Sequence, residues 1–504
     1  IKIIKNYINY DNSLLVNEIR NRIKKYLPMK KTQFLLIYIL FLTFFVSYAI
    51  NELFGQVNFR QILYHLYFTY LERLIWFDKR HTLKIFIYVV FVPLILSIIT
   101  IYLFKFIKKI KYINNLSINL FLVFLLTVNI INLINKYSVL EFYNKEKNSS
   151  NFYEIHYKSP KITHTENKKN LIFIYIESME NLFSKENIFG KDLFKSIDNI
   201  NYNKYSFNEF YQKLGTSWTI AGIVASHCGV PLSNFMYTKS NKFTYEVREF
   251  MPNITCLGDI LRENGYKNVF IKTQDARFAG AEKFLKTHGY DEIKDKSYFE
   301  ETKKINSQSD YELFKYLKKE VIELEKNSQP YNLTTLSFDM HHLSDNEERN
   351  ESTYSDLCKH LNSNIYNNNL ECVSIIVTDF INFLIKNNIL ENTILVVSGD
   401  HIAMKLTPEI KKVAGSQHER TIKNYFFTKD MYEKNREIIY HFDLFPTILY
   451  LLNFEFEENR FGLGASGFGK LSENFTIHKI DENANLNKEL DSFSLKYNSF
   501  WSKK

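Results

Sequence analysis

Three apolar stretches without a single charged residue constrain this chain more than any other feature. They run from Thr32 to Asn51, Ile85 to Phe104 and Tyr112 to Asn135. About 20 apolar residues in a helix cross the hydrocarbon core of a bilayer, so each stretch is long enough. The third is interrupted by Asn114, Asn115, Asn119, Asn129 and Asn132, yet its centre from Leu120 to Val128 is almost purely apolar. The competing reading is buried helices of a soluble protein. Three such runs in the first 136 residues argue instead for a membrane domain, 1–136, with transmembrane helices at about 32–51, 85–104 and 112–135. The mean hydropathy of −0.24 hides this, because a polar remainder dilutes it. With only 8 Pro and 15 Gly, a collagen-like or low-complexity chain is excluded.

The basic residues orient the spans. Arg20, Arg22, Lys24, Lys25, Lys30 and Lys31 precede the first, and Lys105, Lys108, Lys109 and Lys111 separate the second from the third. The positive-inside rule makes that side cytoplasmic, placing 52–84 and everything after Lys136 outside. Arg60, Arg73, Lys79, Arg80 and Lys84 weaken the bias without reversing it. The net charge of +9 is therefore read as a topology signal, and no nucleic-acid partner is expected. Between the first two spans, Gln56–Phe77 has apolar residues at helical spacing. It reads as an amphipathic helix on the outer membrane face or as an ordinary extramembrane helix. The chain begins at Ile1 without Met, and we expect a trimmed or partial start.

Residues 137–169 are polar and unpatterned, as in a linker. From 170 to 478 short β-branched runs (Leu171–Ile176, Val269–Lys272, Leu333–Phe338, Ile394–Ser398) alternate with helical patterns (Ile220–Ser226, Leu257–Asn264, Cys372–Lys386), followed by a tail at 479–504. This predicts an α/β domain whose mostly parallel sheet carries helices on both faces. Ligands of such folds bind beyond the carboxyl ends of the strands. Those ends are rich in acids and histidines: Glu177 after the first run, Asp339, His341 and His342 after the third, and Gly399-Asp400-His401 after the fourth. Glu177, Asp400 and His401 suit one divalent cation. Oxygen-rich donors favour Mn²⁺, with Mg²⁺ or Zn²⁺ as alternatives. In Gly215-Thr216-Ser217, just before a helical pattern beginning near Thr219, Thr216 is either a helix cap or a metal-activated nucleophile. Neither nucleotide-binding glycine motif occurs.

Glu177-Ser178, the Thr segment and Gly-Asp400-His401, in that order, resemble the alkaline phosphatase superfamily. The segment Gly215-Thr-Ser-Trp-Thr-Ile-Ala-Gly-Ile-Val-Ala-Ser-His-Cys-Gly-Val-Pro-Leu232, with Cys256-Leu-Gly-Asp-Ile-Leu261, Arg277-Phe-Ala-Gly280, His288-Gly-Tyr290, Asp400-His-Ile-Ala-Met404 and Gly462-Leu-Gly464, is most similar to the membrane-anchored phosphoglycerol transferases that decorate osmoregulated periplasmic glucans. The resemblance implies a bacterial inner-membrane enzyme with its catalytic domain outside the cytoplasm. It would move phosphoglycerol from phosphatidylglycerol to a glycan, releasing diacylglycerol through a phosphothreonine-type intermediate. It implies that Glu177, Thr216, Asp400 and His401 hold the metal, that Thr216 is the nucleophile, and that His341, with His342 beside it, contacts the phosphate or protonates the leaving oxygen. Gln274, Asp275 and Arg277 are candidates for the head group, Arg277 equally for a surface ion pair, and Trp218 for packing under or contacting the substrate. Related phosphoethanolamine transferases and glycerophosphate polymerases (lipoteichoic acid synthases) are alternatives, as is a non-catalytic envelope-binding protein. The polymerase reading is weakened because Phe278-Ala279-Gly280 stands where those enzymes carry Trp and Arg.

The remaining candidates have plainer readings. His418 and Arg420 are read as lying near the metal or, in preference, in a solvated loop, and His441 as a structural helix start with Asp443 as cap. Sulfatase chemistry needs C/S-x-P-x-R, and Cys228-Gly-Val-Pro-Leu does not match it. The four cysteines follow the last span, outside, where disulfides persist. Of three connectivities, Cys228–Cys256 with Cys358–Cys372 closes the shorter loops.

Overall fold

The computed structural model describes residues 31–54, 57–68, 86–110, 115–140, 149–159, 161–162, 167–232, 249–341, 355–361, 365–404, 406–416, 419–473, 475–482 and 485–502. The chain divides into two compact units, one of residues 1–59 and 71–142, the other of residues 60–70 and 143–504.

The first unit contains the helices Lys31–Phe54, Val92–Ile110, entered by the π-helical turn Ile87–Phe91, and Asn115–Lys136. Within them Thr32–Asn51, Ile87–Ile107 and Asn115–Lys136 are long and apolar enough to cross a membrane. They share a small core of Ile37, Ile101, Ile118 and Leu122. Phe106, Leu116, Leu120 and Phe124 instead stay 62–65% exposed, a surface suited to lipid and costly in water. Polar side chains in these helices find local partners: Thr43 Oγ1 donates to Ile39 O at 3.0 Å, and Lys136 Nζ donates to Ser47 Oγ at 2.8 Å.

The second unit is built on a seven-stranded sheet. Its strands lie in the order Lys204–Tyr205, Asn424–Phe427, Thr393–Gly399, Asn170–Ile176, Tyr331–Leu336, Lys267–Ile271 and Glu292–Lys294. The five from Thr393–Gly399 to Glu292–Lys294 pair in parallel, and the other two add antiparallel. Both faces are covered, which explains the near-continuous apolar runs. Leu171, Phe173 and Tyr175 face one core, shared with Ile220, Ile223 and Val224 and with Leu444, Phe445 and Ile448. Ile172, Ile174 and Ile176 face the other, with Leu313, Leu317, Val377 and Phe380. The period of two along one strand thus divides the domain into two hydrophobic layers.

A fourth helix, Ile365–Lys386, is also long and apolar enough to cross a membrane over Asn367–Lys386. It belongs to the second unit, where Cys372, Val373, Ile376, Val377, Phe380, Ile381 and Leu384 pack in the core, so burial accounts for its apolarity. Of Gln56–Phe77, the described helix is Phe59–Phe68. From Arg60 onward it is part of the second unit: Arg60 pairs with Asp491, and Tyr64 donates its hydroxyl to Ala279 O at 2.6 Å. Two disulfides, Cys228–Cys256 and Cys358–Cys372, follow the shorter-loop pairing.

Those loops span 28 and 14 residues, so chain entropy assigns the bridges about 3.6 and about 3 kcal/mol. Urea unfolding of the full chain in detergent, followed by tryptophan fluorescence, is expected to show losses of that order for Cys228→Ser/Cys256→Ser and Cys358→Ser/Cys372→Ser. Equal stability of either double variant and the parent would refute the bridge concerned.

Candidate metal centre

Strand register brings the acidic ends together. Ile176 pairs with Gly399, and Tyr175 with both Ser398 and Leu336, so Glu177, Asp400 and the turn after Leu336 emerge at one edge. The turn at Glu177 is strained: Ser178 adopts a left-handed φ of 57°. Two hydrogen bonds offset the cost, Ser178 N donating to Asp400 Oδ1 at 2.8 Å and Ser178 Oγ donating to Glu177 Oε1 at 2.8 Å. The helix Thr219–Cys228 packs directly on this edge. A Cβ on Gly222 would sit 2.1 Å from Asp400 O, so only glycine permits the approach.

Glu177, Asp400 and His401 each offer a ligand atom, all within 4.8 Å of one another and all buried. His401 Nδ1 is 2.8 Å from Ile402 O, a contact that fixes Nδ1–H as donor and turns the Nε2 lone pair toward the carboxylates. Nε2 lies 3.3 Å from Glu177 Oε1 and 3.4 Å from Asp400 Oδ2. Asp400 Oδ1 accepts from Ser178 N and His401 N, while the buried Oδ2 accepts no hydrogen bond. Two carboxylates, an imidazole lone pair and an orphaned acceptor oxygen fit a divalent cation.

The electrostatics agree. Burial, then the Glu177 carboxylate, pushes Asp400 up to about 7. Burial lowers His401, but Asp400 and Glu177 outweigh it and raise the imidazole to about 10. Burial opposes ionisation of Glu177 too, yet His341 and His401 hold it well below the usual carboxylate range. The cluster is thus organised around a positive charge.

The structure does not bring Thr216 into this cluster, which corrects the sequence expectation. Its buried hydroxyl turns back on its own loop, donating to Lys213 O at 2.7 Å and accepting from Lys213 N at 3.1 Å. The hydroxyl that reaches the cluster is Thr219, the first residue of the helix: Oγ1 donates to Glu177 Oε2 at 3.4 Å and lies 3.5 Å from His401 Nε2. Its helical position was legible in the apolar pattern, but the tight turn at Gly215 (φ 77°) that points Thr216 away was not.

His341 is half-buried, stacks on Phe338 at 4.9 Å, and is lowered mainly by desolvation, with Glu177, His401 and Lys272 as charged neighbours. Its turn is clamped by Asp310, whose carboxylate accepts from Phe338 N (2.8 Å) and Asp339 N (3.0 Å). Sequence reading missed Asp310, which lies 29 residues before Asp339. His342 and His418 fall outside the described residues.

Gln274 is buried, with Nε2 donating to Thr273 Oγ1 at 2.7 Å. Arg277 is half-exposed and forks onto Asp275 at 2.8 and 2.6 Å. Trp218 is buried against Tyr64, its Nε1 without an acceptor. His441 Nε2 lies 2.8 Å from Asp400 O, and Asp443 accepts from Tyr440 N at 2.8 Å as the helix cap. Arg420 is no solvated-loop residue, a second correction: it is 7% exposed and forks onto Glu180 Oε2 and Oε1, both at 2.6 Å, while donating to Ala403 O at 2.7 Å. This pair ties the segment after His401 to the one after Glu177.

Fold and cluster together define an α/β domain of the alkaline phosphatase type with a buried carboxylate–imidazole cluster, a candidate cation site, at its carboxyl edge. The family model described as Sulfatase matches residues 169–454, more than half of the chain, and the chain belongs to that family. Cys228 is disulfide-bonded and so is no formylglycine precursor. Among curated relatives, phosphoglycerol transferase I of Escherichia fergusonii is 34% identical over 266 residues, covering 51% of this chain and 34% of that protein. The enzyme of the same name from Escherichia coli O6:K15:H31 is 33% identical over 263 residues, covering 50% and 33%. The matches span about a third of the length of these relatives. Solved structures with a similar fold include the lipoteichoic acid synthase LtaP from Listeria monocytogenes (19% identity, 64% and 82% covered, TM-score 0.47). Another is the Streptococcus pyogenes phosphoglycerol transferase GacH in complex with sn-glycerol-1-phosphate (13%, 71% and 88%, TM-score 0.41).

Removing one partner of a buried fork strands the other charge, at a cost of about 3–5 kcal/mol. Arg420→Met is expected to destabilise the chain by that amount in denaturant titrations, and Glu180→Met/Arg420→Met to recover part of it. A double variant no better than the single would show that packing, not pairing, sets the loss.

Proposed function

We propose that this chain is a metal-dependent, membrane-embedded phosphoglycerol transferase acting on phosphatidylglycerol outside the cytoplasm, with Thr219 rather than Thr216 as nucleophile and fourth metal ligand. One observation carries the reading: a hydroxyl at a helix N-terminus lies 3.4 and 3.5 Å from two members of a buried carboxylate–imidazole cluster. A divalent cation held by Glu177, Asp400, His401 and Thr219, Mn²⁺ by preference, would supply Lewis-acid polarisation of the phosphoryl group and a lowered hydroxyl pKa.

The side chains divide the remaining work. Thr219 Oγ forms a bond to phosphorus as the bond to the diacylglycerol oxygen breaks. The proton lost by Thr219 is balanced by one delivered to that oxygen, and neutral, half-buried His341 is suited to carry it. A glycan hydroxyl then attacks the phosphothreonine and gives its proton to His341, which passes it to Thr219 Oγ as the Oγ–P bond breaks, so both side chains return to their starting state in a ping-pong sequence. Helix dipole and backbone N–H groups at Thr219 favour the phosphoryl oxygens. The 34% identity to an enzyme named phosphoglycerol transferase I supports the head group.

The test is diacylglycerol release from phosphatidylglycerol vesicles with Mn²⁺. Thr219→Val is expected to lose at least about 1000-fold in rate, whereas Thr216→Val retains activity within about 10-fold. Full activity in Thr219→Val, or equal loss in both, would overturn the assignment. Glu177→Gln is expected to lose bound Mn²⁺ by elemental analysis together with activity; activity at full metal loss would sink the one-site reading.

A further inference from the structure

Lys272, which follows the strand Lys267–Ile271, is only 9% exposed, yet no ion pair or side-chain hydrogen bond joins it to any described residue. Its stem is buried while the ammonium reaches the edge of the packed region without a protein partner, so the charge is free to meet an anion there. Ile271 pairs with Thr335, and Leu336 with Tyr175, so Lys272 emerges at the same carboxyl edge as Glu177; burial lowers its pKa, opposed by Glu177, Asp295, Asp275 and Asp400.

Each of those carboxylates already has another partner. Asp275 is forked by Arg277. Asp295 accepts from Ala276 N at 2.9 Å and Ser297 N at 3.0 Å, capping the helix Lys296–Thr302. Glu177 and Asp400 are the proposed metal ligands. With a divalent cation in place, Lys272 is a surplus positive charge beside the point where a phosphoryl group must arrive. Two residues on, Gln274 Oε1 is a buried acceptor without a donor.

On the proposed phosphoglycerol transfer rests a more specific reading: we infer that Lys272 binds the donor's phosphoryl oxygens and, with Gln274 Oε1 accepting from a head-group hydroxyl, selects a neutral polyol head group over an ammonium-bearing one. An ethanolamine head group could also donate to Gln274, but it would bring a second cation beside Lys272 into a site of low dielectric. Lys272 thereby serves both attraction of the anion and rejection of the wrong head group.

The test uses the full chain in detergent, loaded with Mn²⁺. Lys272→Met, nearly isosteric and neutral, is expected to weaken glycerol phosphate binding by calorimetry about 10–100-fold. It is also expected to shift the phosphatidylglycerol-to-phosphatidylethanolamine rate ratio toward ethanolamine by about 10-fold or more, with Mn²⁺ content unchanged. Its thermal midpoint is expected to stay equal or rise, because the buried stem is kept and a cation without a protein partner is removed; Lys272→Arg should restore part of the binding. A Lys272→Met chain with parental glycerol phosphate affinity and donor ratio would overturn the role of Lys272 alone. Loss of thermal stability and Mn²⁺ together would show a structural role and overturn it as well. A parent protein that neither binds glycerol phosphate nor consumes either lipid would instead remove the transferase reading on which the inference rests.

Discussion

Two carboxylates and an imidazole are buried together at the carboxyl edge of the sheet, and the rest of the catalytic unit is arranged around that unfavourable fact. Like charges in a low dielectric cannot both stay ionised without a counter-charge. Asp400 and His401 respond by taking up protons, a response that a divalent cation makes unnecessary. The surrounding contacts fix where the three side chains stand. Ser178 is held in a left-handed turn between Glu177 and Asp400, His401 Nδ1 is tied to Ile402, and the Arg420–Glu180 fork anchors the segments behind them.

Parallel pairing explains why so much of this was readable. In a sheet buried on both faces the strands are apolar and short, and the first polar residue after each marks the carboxyl edge. Glu177, Asp400 and His401 could be placed side by side from that pattern, and the structure brings all three together. The apolar runs before residue 137 were equally plain, since nothing but length and lack of charge is needed to see them. The disulfide pairing followed from loop length.

What escaped the sequence depends on local turns and distant partners. Thr216 and Thr219 are both threonines ahead of an apolar helix, and composition cannot rank them. A glycine turn and a hydrogen bond to Lys213 turn one away, while helical geometry brings the other to Glu177 and the buried cluster. Arg420 looked like a loop residue because its partner, Glu180, lies 240 positions earlier. Asp310 and Lys272 carried no motif. One is identified by the turn it clamps, the other by the partner it lacks. Helix Ile365–Lys386 is the converse case, apolar enough for a bilayer and satisfied by a protein core.

The catalytic unit is also discontinuous. The described residues 60–68 lie between the first two apolar helices in sequence yet belong to the unit that carries the sheet, so the chain passes between units at 59–60. A polypeptide beginning after the third apolar helix would be an incomplete domain. It would lack the Tyr64 hydroxyl that satisfies Ala279 O, the Arg60 cation opposite Asp491, and the ring that packs on Trp218, one residue from the reactive helix. The boundary of the catalytic unit is therefore drawn by packing, and part of it is synthesised before two of the three apolar helices of the first unit.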